Sequence, residues 1–448
     1  SRTFRGPENP SEIQIMWWTI HLDGGPRRVN HAAVAIGDKI YSFGGYCSGE
    51  EYDGRKDMDV FLLDTVTNRW YNLFEKMKRR SDRLMSSNSI KLIRRIESAE
   101  SRYVDPETAS EDETAFDTAD EENEHPYLTA RREYKPSSKE TPSQRYGHTV
   151  VAHNGLIYLW GGRNDQYGSS SMLHEFNPET LKWRIVSAGN FLPQARDGHS
   201  AVIYGNSMFI FGGFEYMSSL FSNDVYEFNF ETSSWSHIQT TGEHPSPRDF
   251  HTSCVLDGKM YIFGGRGDDN VTSTGSDSYC DKLFSLDLTT KQWTCIDAKG
   301  DLPTGRRSHS MWTYNDKVYV FGGYESKDNT HFNDLYSFDP ATNTWKRLLP
   351  DGHTPCPRRR HCSCLVGQRV FIFGGTAPNK QKSKAGKSLM DLSDTHVLDY
   401  SVTLKTLVTR KLIESSKWRK RKLPYLGPTV SQFIMDSSIP NTLSSPAM

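Results

Sequence analysis

Cysteine is scarce and irregular in this sequence. Seven residues in 448 is an odd number, and no Cys-x-x-Cys pair occurs among them. That removes the usual zinc and dithiol arrangements and points to single buried thiols in a reducing compartment. No sign of charge is in excess: 54 Lys and Arg stand against 55 Asp and Glu, a net charge of -1. Nucleic acid is therefore not an expected partner, except indirectly through chromatin. No apolar run reaches the ~18 residues that a membrane helix needs, and no secretory leader is visible, so no membrane association is expected. Phosphate loops, zinc signatures and nucleophile elbows are missing too. No cofactor, no metal and no catalytic residue are expected.

What the chain does have is a repeat. An apolar pair followed by two glycines occurs at Ser42-Phe43-Gly44-Gly45 and five more times, ending at Gly162, Gly213, Gly265, Gly323 and Gly375. Thirteen residues before the first glycine of each stands a histidine: His31, His148, His199, His251, His309 and His361. Three residues before each histidine is an arginine: Arg28, Arg145, Arg196, Arg248, Arg306 and Arg358. Each of the first five units carries a later tryptophan, at Trp70, Trp183, Trp235, Trp293 and Trp345. From Trp183 onward the tryptophan precedes the next histidine by sixteen residues.

One unit reads as four strands. Residues 251–256 alternate, Asp257-Gly258 is a two-residue hairpin turn, and 259–263 form a second strand that ends on the double glycine. Residues 283–288 and 293–296 supply the third and fourth. Such a sheet cannot bury both faces alone; radial stacking does so, with tryptophan between neighbours. The period of about fifty residues is that of kelch repeats, and the chain resembles a six-bladed kelch β-propeller, an all-β fold. The last unit lacks its tryptophan, Lys405 standing there instead. The stretch from Trp18 to Leu22 is expected to supply the missing strand and to close the ring by joining the chain's two ends.

The expected organisation is a tail (1–16), the closing strand with blade one (17–73), an insertion (74–142), blades two to six (143–400), a short helix (401–414) and a basic then flexible tail (415–448). The insertion places a basic block before an acidic one with few aromatics, the signature of a disordered linker. A nuclear-import or regulatory role for Lys76-Met77-Lys78-Arg79-Arg80 is the alternative. Cytoplasm and nucleus are the expected locations.

The loops that join blades and the loops after the double glycines share one face of the ring. The six spaced arginines lie there, and their regular repetition favours a bracing role. Arg163, Arg266, Arg307, Arg359 and Arg360 break the period and are the better ligand candidates, offset only partly by acids such as Asp197 and Asp249. A mouth rich in arginine attracts carboxylates. The six histidines open innermost strands at equal height and read as structural rather than metal-binding.

Particular strings go further. Trp160-Gly161-Gly162-Arg163-Asn164-Asp165, Ala195-Arg196-Asp197-Gly198-His199-Ser200 and Cys356-Pro357-Arg358-Arg359-Arg360 resemble the kelch domain-containing protein three family, over roughly residues 17–73 and 142–408. That resemblance implies a substrate receptor of cullin-RING ubiquitin ligases that holds the extreme C-terminus of a target protein, often ending in glycine. It also implies that Arg266, and Arg163 in another blade, meet the terminal carboxylate. The acidic loop after Arg266 departs from the family pattern. The resemblance further implies an elongin-binding box, with Leu404, Val408 and Leu412 on one helical stripe and elongin B/C and cullin as partners. Val408 stands where the family has cysteine. The alternative function is a kelch interaction scaffold, chromatin-associated or cytoskeletal, without a ligase role.

Overall fold

The computed structural model describes residues 15–50, 56–74, 140–189, 191–268, 277–379 and 388–402. Most of the expected insertion, nearly all of the N-terminal tail, and the expected helix with Leu404, Val408 and Leu412 lie outside these residues, as does the C-terminal tail.

Six antiparallel sheets follow one another around an axis. Blade four shows the pattern: Thr252–Leu256, Lys259–Phe263, Leu283–Asp287 and Gln292–Ile296 pair in sequence order. The Asp257-Gly258 turn has positive φ at both residues, 49° and 72°, which suits the right-handed twist of the strands it joins. The inner strand is half-buried except at Cys254, whereas the second strand is buried almost throughout because both of its faces meet protein.

Blade six is completed from the other end of the chain. Met16–His21 pairs antiparallel with Thr395–Asp399. The expected closure is present, with its strand shifted: it begins at Met16, and Leu22 is exposed. Trp17, not Trp18, takes the repeat's tryptophan position. Trp17 pairs with Leu398 as Trp345 pairs with Phe338 and Trp293 with Leu286. Two-residue parallel additions at Thr241–Gly242, Lys299–Gly300 and Asp351–Gly352 flank Trp293, Trp345 and Trp17 in the same register. Residues 140–143 belong to the propeller as well: the Met58 N–H donates to the Pro142 carbonyl, and Asp57 bridges Ser143.

The core is divided among the blade interfaces. Among the described residues, six apolar clusters each join two neighbouring blades. In each, the tryptophan of one blade lies against the aromatic residue before the double glycine of the previous blade. Trp183 meets Phe43, Trp235 meets Trp160, and Trp70 meets Phe373 across the closure. Cys362 and Cys364 are buried together in the cluster between blades six and one. The other thiols are mixed, with Cys47 and Cys254 buried and Cys356 exposed.

The histidine and the first glycine are two halves of one contact. A Cβ on Gly161 would lie 2.5 Å from Cε1 of His199 in the next blade, so only glycine leaves room for the ring. His199, His251, His309 and His361 each share a hydrogen bond through Nε2 with the hydroxyl that follows the previous blade's histidine: Thr149, Ser200, Thr252 and Ser310. Ala32 has no hydroxyl to offer, and His148 turns to the Phe43 carbonyl instead. Burial holds all six histidines neutral, lowering His31, His148 and His251 to about 3.

Candidate functional site

The repeated arginines are fixed by the blade that carries them. The guanidinium of Arg248 donates to the Gly264 carbonyl at 2.9 Å and to the Ser246 carbonyl at 2.9 Å. Arg196, Arg306 and Arg358 repeat this with Gly212, Gly322 and Gly374. The same arginines present their backbone carbonyls to the previous blade: Gly213, Gly265 and Gly323 N–H donate to Arg248, Arg306 and Arg358. These three arginines therefore tie two blades together, and half-buried acids such as Asp334 and Asp394 take up the remaining charge of Arg306 and Arg358.

Between arginine and histidine the loops face the axis, and there the backbone closes a circle. Gly147 N–H donates to Asn30 O, Gly198 to Gly147, Phe250 to Gly198, Ser308 to Phe250, Arg360 to Ser308, and Asn30 to Arg360, at 2.7 to 3.2 Å. All six residues have positive φ. Above this ring lies a cavity of about 630 Å³, and below it, among the histidines, a void of about 120 Å³.

The cavity has two walls of opposite character. On one side stand Asp165, Asp197 and Asp249 with Arg163 and Arg266. Arg266 is held by Asp249 through two hydrogen bonds, 3.1 and 2.7 Å, and lies over the Phe221 ring. Arg163 donates to the Tyr146 hydroxyl at 2.6 Å and to Asp165 at 3.1 Å. Asp197 is buried, and its Oδ1 accepts no hydrogen bond. Burial raises its pKa to about 7; Arg163 and Arg266 pull it down, and Asp249 pushes it up.

On the other side Arg307 and Arg360 line the cavity. Arg307 and Arg359 both lie over the Tyr324 ring, at 5.6 and 4.1 Å, and Nε of each is buried without an acceptor. Arg360 donates to the Tyr46 hydroxyl at 2.7 Å. No carboxylate pairs with these three among the described residues. Burial, then Arg360 and Arg307, lower the Arg359 pKa to about 10. His331 lies against Tyr324 with its ring tilted by 54°, and both of its ring nitrogens are buried and unpartnered.

Four of the five ligand candidates thus line one cavity, and Arg359, over the Tyr324 ring, does not. The structure divides them: Arg163 and Arg266, which resemble the family's carboxylate ligands, are already occupied by acids, while Arg307, Arg359 and Arg360 are not. Single-residue reading missed Asn30, Tyr46, Tyr146, Phe214, Phe221 and Phe250, which also line the mouth. Except for Phe221, their signal lies in the two residues between arginine and histidine and the one after the double glycine, where the repeat ceases to repeat.

The pattern of the Kelch motif matches residues 27–73, and that of the KLHDC2/KLHL20/DRC7 Kelch-repeats domain matches residues 147–375. Kelch domain-containing protein 3 of Homo sapiens is 38% identical over 402 residues, covering 89% of this chain and 91% of the relative. The chain belongs to the kelch domain-containing protein 3 family. The mouse protein of that name is likewise 38% identical, over 404 residues. Human host cell factor 2 is 30% identical over 255 residues, 53% of this chain and 31% of the relative. Within the kelch domain-containing protein 3 family the kelch repeats form a protein-interaction domain.

Proposed function

We propose that this kelch protein is the non-catalytic substrate-recognition subunit of a cullin-RING ubiquitin ligase and that it holds the C-terminus of a target protein in the mouth. The supporting observation is the Arg307–Arg360 wall. Among the described residues no acid neutralises its guanidinium groups, and the Arg307 Nε is buried without an acceptor. A half-buried cation gains from a partner, and a terminal carboxylate supplies both the charge and the paired acceptor oxygens that arginine prefers. Arg359, packed on the same tyrosine, adds to the field. The opposite wall of Asp165, Asp197 and Asp249 is suited to a basic side chain a short distance upstream of that carboxylate.

In this reading Leu404, Val408 and Leu412 dock on elongin B/C, which brings the cullin, and the complex works in cytoplasm and nucleus. Valine is β-branched where the family has cysteine, so elongin capture is weaker than in relatives. A second reading, an interaction scaffold without ligase partners, draws on the likeness of half the chain to host cell factor 2.

The test is direct binding of peptides that end in a free carboxylate or in an amide. The acid should bind more tightly by about 2–5 kcal/mol, the cost typical of a lost charge-assisted pair. Equal binding would end the carboxylate reading. Affinity purification of the full chain then separates receptor from scaffold by the presence or absence of elongin and cullin subunits.

A further inference from the structure

Between their second and third strands, blades three and five carry the same short hairpin with different sequences. Phe214 pairs with Phe221 and Glu215 with Leu220, as Tyr324 pairs with His331 and Glu325 with Thr330. Ser219 and Asn329 hold the same turn position in the left-handed region, at φ 54° and 48°. Ser222 N–H donates to the Gly213 carbonyl and Phe332 N–H to the Gly323 carbonyl, each at 2.9 Å. The blade-five tip reads Ser326-Lys327-Asp328, which suits water; the blade-three tip reads Tyr216-Met217-Ser218. Tyr216 is 53% exposed, Met217 86% and Leu220 59%. Blade five shows that this backbone forms with a polar tip, so folding does not require Tyr216 or Met217. Single exposed apolar residues are ordinary, but three on one hairpin beside a cavity mark a contact surface.

The two hairpins also differ in what they border. Phe214 and Phe221, whose rings meet edge to face at 5.3 Å, line the mouth, and their counterparts Tyr324 and His331 do not. Asp197 pairs with Phe214 in one small sheet, and Arg266, held by Asp249, lies over the Phe221 ring. The blade-three hairpin therefore continues the acidic wall, which stands opposite Arg307 and Arg360.

We propose that the tip of the blade-three hairpin is a second contact for the target: Tyr216 and Met217 take an apolar side chain, aliphatic or aromatic, upstream of the residues that the mouth encloses. A carboxylate on the Arg307–Arg360 wall directs the preceding residues across the mouth to the opposite wall, and a chain that leaves over that wall passes this hairpin. The two side chains suit the task. Tyrosine offers a large apolar face with a polar end, and the unbranched thioether of methionine adapts to partners of different shape. This contact rests on the mouth being a C-terminus site.

The experiment uses the full chain and a polar peptide with a free C-terminal carboxylate, along which a single Leu is walked upstream one position at a time; the amide of each peptide is the control. Wild type is compared with the double variant Tyr216→Ser, Met217→Lys, which writes the blade-five tip onto blade three. In wild type, Leu at one or two neighbouring positions should tighten binding about tenfold, the effect of burying one apolar side chain. The double variant should lose that gain, bind the Leu-free peptide within about twofold of wild type, and melt at the same temperature. Absence of a gain at every position overturns the contact, as does a gain that survives in the variant or a variant that melts far below wild type. Sedimentation of both proteins tests the competing occupant: a wild-type dimer that the double variant turns into a monomer would assign the tip to a second copy of the chain and overturn the proposal. If wild type binds acid and amide alike, the carboxylate reading fails and takes the second contact with it; if it separates them and Leu makes no difference, the second contact alone fails.

Discussion

Trp17 lies against Phe321 with 5.1 Å between ring centroids, matching the contacts of Trp345 with Phe263 at 5.6 Å and Trp293 with Phe211 at 5.2 Å. A residue from the start of the chain thus occupies the same interface slot as the blades' own tryptophans. Trp17→Ala should cost about 3–5 kcal/mol, the usual loss for a buried large aromatic. Trp18→Ala should cost less, because Trp18 is only partly buried. Chemical denaturation of the two variants checks this, and equal losses would mean that the register is wrong.

Neighbouring arginines should behave oppositely. Arg306 is fully buried and serves Gly322 O and the half-buried Asp334, so Arg306→Ala removes a buried brace, leaves both acceptors unpaired and should destabilise by about 2–4 kcal/mol. Arg307 pairs with no acid among the described residues and sits near Arg359, so Arg307→Ala should leave the melting temperature unchanged or raise it while weakening the acid-terminated peptide. Arg266→Ala should do less to binding than Arg307→Ala, because Arg266 is already paired with Asp249. A larger binding loss for Arg266→Ala would return the carboxylate to the side of the mouth that the family resemblance implies.

The six buried histidines set an acid limit. Their folded pKa values are lowered, so the folded state binds fewer protons than the unfolded chain. Their stabilisation is complete above the unfolded pKa of ~6.5 and is lost as pH falls towards the folded value of about 3 seen for His31, His148 and His251. Each contributes up to ~1.4 kcal/mol per pH unit in that window. Melting temperature should fall steeply between pH 6.5 and 4.5, and a flat profile there would contradict the burial.

Asp197 works in the other direction. Its folded pKa, about 7, is raised above the unfolded ~3.9. The folded state therefore gains protons, and this contribution is full below pH ~4 and is lost as pH rises through 7. Asp197→Asn should be more stable than wild type at pH 8, with the difference vanishing near pH 4. The same variant should also lose any preference for peptides with a basic residue near the C-terminus. A constant stability difference across that range would show that Asp197 ionises normally.

Leu404→Asp should abolish elongin capture while leaving the melting temperature of the propeller unchanged, and Val408→Cys should strengthen capture. If Leu404→Asp instead unfolds the ring and elongin is never recovered, residues 404–408 are part of a blade and the ligase reading loses its main support.

The blades were legible because their determinants are local. Strand alternation, the Asp257-Gly258 turn and the thirteen-residue interval from histidine to double glycine all lie within one hairpin, and sixfold repetition makes each copy a check on the others. Ring closure was legible as a deficit, since the last unit lacks its tryptophan. Which indole fills the gap was not, because Trp17 and Trp18 are adjacent and a one-residue slip reverses the face of a strand; only pairing with Thr395–Asp399 decides it. The mouth divides in the same way. Its arginines could be counted from the sequence, but whether a guanidinium is free depends on residues that other loops bring to it, as Asp249 is brought to Arg266 across 17 positions. The circle of left-handed residues around the axis belongs wholly to the tertiary structure. Each bond in it joins two different blades, so it exists only when all six are in place.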